Sequence, residues 1–153
     1  MCSSDLMETE FPRVSGMGPN PPFYAGMMSN ILLQDGQLAR ALEPLDAILK
    51  TIREPGVGFF LPEIHRLHAE CLLQMDPSNF EGTTRELELA IAIAKQQQAR
   101  LFWLRAAISL SRVWTDKGMQ GNGVAPLREA IAVFSGDDNP AELAVATQIL
   151  AAT

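Results

Sequence analysis

From about Tyr24 onward, apolar residues recur at three- and four-residue intervals, with almost no alternation of period two. That spacing puts apolar side chains on one face of an α-helix, so it predicts a run of helices without strands. Breakers divide the run into seven. The first helix is expected over Phe23 to Gln34, stopping at Asp35-Gly36. The second covers Gln37 to Arg53 and ends before Pro55-Gly56. Pro44 lies inside it, where the missing N–H should bend or weaken the helix. The third starts near Pro62 and ends at "MDP". The fourth is expected to open at Thr83, with Glu86 three residues on as the second half of a capping box, and to run to about Gln98. The fifth covers Ala99 to Lys117 and stops at Gly118, and the sixth covers Asn122 to Phe134. The seventh opens at "NPAE", with Asn139 as cap, Pro140 in the first turn and Glu142 reaching back. Residues 1–22 carry Pro12, Gly16, Gly18, Pro19, Pro21 and Pro22 with little periodicity, and read as a disordered lead or linker ahead of one domain at 23–153.

The helices repeat. Leu45 in "PLDAI", Leu87 in "ELELAI" and Leu127 in "PLREAI" hold equivalent places in the second, fourth and sixth helices, 42 and 40 residues apart. The helices before them end in related phrases, "ILLQDG", "CLLQMD" and "RVWTDKG". A helix pair repeated about three times at a period near 40 predicts an all-α fold, an α-solenoid. In such a stack each pair buries its apolar side on its neighbours. The seventh helix is left over as a C-terminal capping element.

Charge and cysteine usage narrow the function classes. The net charge is −6 and Lys and Arg form no cluster, which argues against a nucleic-acid surface. Cys2 and Cys71 are too few for a disulfide framework, so a reducing, cytoplasmic setting is expected. The start "MCSSDLMETEF" has neither the basic nor the apolar segment of a signal peptide. No apolar run approaches the roughly 18–20 residues that span a bilayer, so no membrane partner is expected.

The strings "PEIHRLHAECLLQ", "ELELAIAIAKQQQARLFWLRAAISLSRVWTDKG" and "APLREAIAVF" resemble the tetratricopeptide-like C-terminal segment of large bacterial signalling regulators. In those proteins an adenylate/guanylate cyclase or DNA-binding domain accompanies an ATPase and a helical-repeat tail. Glu63, His65, Arg66, Leu67, Glu70, Leu72 and Leu73 match the first part of the family pattern. Ala90, Ile93, Ala94, Gln97 and Ala99 match the second, and Leu104 to Ala107, Ser109, Leu110, Arg112, Trp114 and Gly118 the third. The match is good over 60–134, weaker over 24–53 and absent in the tail. Trp103 stands where the family has Glu, and His68 where Arg is usual. There is no cyclase motif, no phosphate-binding loop and no helix-turn-helix reader. The resemblance therefore implies a repeat module without the catalytic parts.

Two sets of residues are candidates for chemistry. His65, His68 and Cys71 recur every third residue, but they drift by about 60° around a helix. Zinc takes a compact tetrahedron, usually from two elements, and no second element offers an obvious fourth ligand. The stripe therefore reads as structural, with the histidines exposed or half-exposed, Cys71 buried, and no metal or cofactor. Ser109 and Ser111 lie within a helix without a nucleophile turn, and the glycines form no phosphate cradle, so no catalytic residue is assigned. The second set is surface. In solenoids of this kind the first helix of each pair lines the concave face. Glu63, Arg66, Glu70 and Gln74 form one polar stripe there, and Arg105, Ser109, Arg112 and Asp116 another. Glu63/Arg66 and Arg112/Asp116 are expected to be solvated i,i+3 and i,i+4 pairs with little effect, the alternative being contact with a partner. Arg105 and Arg112 are suited to gripping a carboxylate of a partner. Trp103 and Trp114 read as core packing.

These readings converge on a non-catalytic module that binds a protein or peptide, or an adjoining domain of a longer chain. Its groove candidates are Glu63, Arg66, Glu70, Arg105, Ser109 and Arg112. The alternative is a small-ligand sensor that controls an attached cyclase, ATPase or transcriptional regulator.

Overall fold

The structure is a computed structural model that describes residues 21–52, 58–138 and 140–153. The described residues form seven α-helices and no strand: α1 (Pro21–Gln34), α2 (Leu38–Thr51), α3 (Leu61–Met75), α4 (Phe80–Gln96), α5 (Arg100–Asp116), α6 (Gln120–Ala132) and α7 (Ala141–Ala151). None of them is long and apolar enough to cross a membrane. Of the expected lead, Pro21 and Pro22 already belong to α1, since proline's fixed φ suits a first turn. Residues 1–20 lie outside the described set.

Most of the expected helices appear within one to three residues of their predicted ends. The fourth is the instructive exception, because it starts a turn early. Asn79, not Thr83, is its cap, and the Asn79 side chain accepts from the N–H of Gly82 at 3.1 Å. Asn caps at least as well as Thr, and it comes first in the chain. Thr83 is instead buried within the helix, donating to the carbonyl of Asn79. Glu86, freed from capping, points to α3. In α7, Pro140 sits before the first turn with extended backbone, not within it, and Asn139 is outside the described residues. Helix α2 continues through Pro44, and α6 likewise runs through Pro126.

Three helix ends share one turn. After α1, the N–H of Gln37 reaches back to Leu32 and that of Gly36 to Leu33. After α5, Met119 and Gly118 bond Trp114 and Thr115 in the same way, and after α4 Ala99 and Gln98 bond Ala94 and Lys95. This pair of hydrogen bonds satisfies two of the last carbonyls, but it needs one residue at positive φ. Gly36 (+74°) and Gly118 (+71°) supply it without a side-chain penalty; at the third turn Gln98 adopts +55°.

Packing is local in sequence. Each helix packs on the next, α3 also touches α1 and α5, and α7 touches α5, whereas the backbones of α2, α4 and α6 stay apart, with Lys95 reaching from α4 to Glu129 of α6 at 2.7 Å. Leu45, Leu87 and Leu127 are each at most 1% exposed, so the repeated leucine is a repeated core position. Leu45 joins Leu33, Ile64, Leu67 and Cys71 in one apolar cluster. Leu87 and Leu127 join Leu104, Ala107, Leu110 and Ala146 in a second. Trp103 and Trp114 are half-buried against that second cluster, as core packing requires, and Trp114 meets Phe80 edge-on at 4.7 Å. Between α5 and α6, Gly123 lies so close to Ser111 that an added Cβ would fall 2.7 Å from the Ser111 backbone.

Candidate functional site

On α3, Glu63, Arg66 and Glu70 follow one another at three- and four-residue steps, so they share a face. On α5, Arg105, Ser109 and Arg112 do the same. Because α3 packs directly on α5, the two faces become one surface. Arg66 donates to Glu63 through Nε (2.9 Å to Oε2) and Nη2 (2.7 Å to Oε1), and through Nη1 to Glu70. Glu70 also accepts from the Ser109 hydroxyl at 3.1 Å. Arg105 lies 3.6 Å from Glu63 through Nη1 and grips Glu142 of α7 through Nε and Nη2, at 2.8 and 2.7 Å. The result is a chain of alternating charge, Glu70–Arg66–Glu63–Arg105–Glu142, that crosses three helices.

Burial decides what this network can do. The Glu63 side chain is only 7% exposed and that of Arg66 14%, so this is a desolvated pair and not the solvated one expected. Burial works against the charge on Arg66, but the hydrogen bonds and charges of Glu63 and Glu70 overcome it and hold the guanidinium firmly protonated. Burial likewise opposes ionisation of Glu142. Its own backbone N–H at the start of α7 and the Arg105 guanidinium prevail, and its carboxyl sits below the usual range. Arg105, expected to grip a partner's carboxylate, is already engaged by carboxylates of its own chain.

Arg112 is different. It is exposed and makes no ion pair among the described residues, Asp116 included. With Glu70, Ser109 and Asp116 it lines a cleft of about 180 Å³, floored by Ala69, Leu73, Leu87 and Val113. All six groove candidates thus lie on the joined face of α3 and α5, four in the chain of charge, of which only Glu63 and Arg66 are largely buried, and Arg112 at its open edge. Ser109 belongs to both, bonded to Glu70 and lining the cleft.

The histidine stripe on α3 meets other helices. His65 Nδ1 is 2.8 Å from Glu86 Oε2 of α4. His68 Nε2 is 3.2 Å from Asp46 of α2, and its Nδ1 is 3.3 Å from Glu86, off the hydrogen-bonding direction. His65 is buried, contrary to the exposed or half-exposed position expected of it; His68 is half-buried. Burial alone would hold the His68 pKa down, but the Glu86 and Asp46 carboxylates raise it above the ordinary histidine value. Burial would raise the Glu86 carboxyl; the two imidazoles outweigh it and push it down to about 2. Cys71 packs in the apolar cluster, where burial, with Glu70 and Asp46 adding, pushes its thiol up to about 11. A thiol so placed is a core side chain.

Sequence reasoning missed Glu142, Glu86 and Asp46 as partners. Glu142 and Glu86 had been assigned to capping, and Asp46 carried no assignment. The positional signal was there for two of them: Asp46 and Glu86 flank the repeated leucines Leu45 and Leu87. No protein-family model, curated protein or solved structure matches the chain.

Proposed function

We propose that the chain is a tetratricopeptide-like α-solenoid of three helix pairs closed by α7, and that it acts as a non-catalytic protein-interaction module. Packing of each helix on the next and of α1, α3, α5 and α7 on one another in turn, together with the buried leucine in α2, α4 and α6, supports the architecture. The observation that carries the function is the cleft lined by α3, α4 and α5, with Arg112, which makes no ion pair among the described residues, on its rim and an apolar floor beneath. Such a site suits an extended or helical peptide that places a carboxylate on Arg112 and a small apolar side chain beside Leu73 and Val113. The neighbouring network, whose arginines already face carboxylates of their own chain, keeps the helix faces in register. In the setting that the resemblance implies, the peptide would belong to an adjoining signalling domain or to a separate protein.

Selection from a displayed random-peptide library tests this reading. Binders should carry an acidic residue, and Arg112→Glu should abolish their binding. Arg85→Glu, at an exposed position on α4, should not. Binders that are indifferent to Arg112→Glu would remove the assignment.

A further inference from the structure

Helix α1 exposes a row of large apolar side chains: Tyr24 (53%), Met27 (47%), Met28 (52%) and Ile31 (63%). The repeat shows what such positions are for. Forty residues on, Tyr24, Met27 and Ile31 correspond to Ile64, Leu67 and Cys71 of α3, which are at most 1% exposed. Those three are buried with Leu33 of α1 and with Ala41 and Leu45 of α2. Another forty on, Leu104 and Ala107 of α5 are fully buried, in a cluster with Ala69 of α3 and Leu87 of α4. Met28 corresponds to His68, which meets Asp46 of α2, and to Ile108, 6% exposed. The exposed row of α1 is therefore the face by which α3 and α5 dock on the pair before them. Grouped exposed apolar surface of this kind marks an interface.

We infer that α1 is a self-association surface, covered by α1 of a second copy across a two-fold axis. Three observations select this occupant. Helix α1 contains no charged residue, alone among the seven described helices, in a chain of net charge −6. Two copies can therefore meet there without placing like charges in contact. The row runs over about two helical turns, from Tyr24 to Ile31, so antiparallel copies can set the same patch against itself, as a two-fold interface demands. A head-to-tail stack lacks a matching surface, because among the described residues neither α6 nor α7 exposes a large apolar side chain. The contact is separate from the α3–α5 cleft, so it leaves the proposed peptide site open.

Sedimentation equilibrium and light scattering on the full chain test the inference. The expected result is a species of twice the 16.7 kDa chain mass. Met27→Glu or Ile31→Glu should weaken self-association at least about tenfold while circular dichroism and the melting curve of the monomer stay unchanged. Leu89→Glu, at an exposed leucine of α4, should leave the dimer intact. A parent chain that stays monomeric into the hundred-micromolar range would overturn the inference. So would a dimer indifferent to both α1 substitutions. A chain that dimerises only once residues 1–20 are removed would overturn it too, by showing that the chain's own lead occupies the row.

Discussion

Arg66 holds Glu63 by two parallel hydrogen bonds one helical turn apart, at 2.9 and 2.7 Å, and both side chains are largely buried. Paired arginine forks of this kind are the strong form of an ion pair. Their removal is costly because the surviving charge is left in a poor solvent. Glu63→Ala leaves Arg66 with Glu70 alone, and Arg105 loses one of its two carboxylates. The expected loss is about 3 kcal/mol, within the range for breaking a buried pair. Urea unfolding monitored by circular dichroism reads it directly. A loss below about 1 kcal/mol would place the pair among ordinary surface bridges.

Leu87 tests the repeat core. It is 1% exposed and belongs to the cluster that joins α4 to α5 and α6. Leu87→Ala should cost roughly 2–5 kcal/mol through the lost side chain and the cavity left behind. Arg105 offers the contrast, although a smaller one than its place on a polar stripe suggests. It bridges Glu63 and Glu142 while still about a third exposed, so Arg105→Ala should cost on the order of 1 kcal/mol. Thermal melts of both variants give the order, and equal losses would contradict it.

Stability should depend on pH through the pair His68 and Glu86. The carboxyl of Glu86 is lowered from 4.5 to about 2 on folding, so its contribution is complete above 4.5 and fades as the pH falls toward 2. The pKa of His68 is raised above 6.5, so its contribution is complete below 6.5 and is lost as the pH climbs through the folded value. The cluster stabilises most between about 4.5 and 6.5, with His65, Asp46 and Glu86 all facing His68 or its partner. Melting temperature measured across pH 3 to 9 should peak in that window. His68→Gln should flatten the alkaline side of the curve, and an unchanged slope would show that another group titrates there.

Gln98 occupies the turn position that glycine fills after α1 and α5, at φ +55°. A side chain there is strained, which glycine relieves at the cost of a more flexible unfolded chain. Gln98→Gly should raise stability by about 0.5 kcal/mol. Gly118→Gln, which introduces the same strain after α5, should lower it by about 1 kcal/mol. A differential-scanning trace of each variant decides the sign.

Helix number, order and core positions were legible in the sequence because they rest on periodicity, a local property. Spacing by three and four placed Leu45, Leu87 and Leu127 on apolar faces, and the period near 40 made them equivalent before any contact was known. Glycine punctuation marked two of the three shared turns. The start of α4 was misread because the motif Thr83–Glu86 satisfies a local rule equally well one turn into the helix, while Asn79 satisfied it earlier. The six groove candidates lie on α3 and α5, on the faces that helical spacing gives them. Whether those faces carry free or satisfied charge was decided only in three dimensions. That outcome depends on groups far apart in sequence: Arg105 meets Glu142 37 residues later, and His68 meets Asp46 22 residues earlier. Helical spacing determines which side chains share a face. Only the packing of α3 between α2, α4 and α5 decides which charges lose their water, and with it whether an arginine is a strut or a contact.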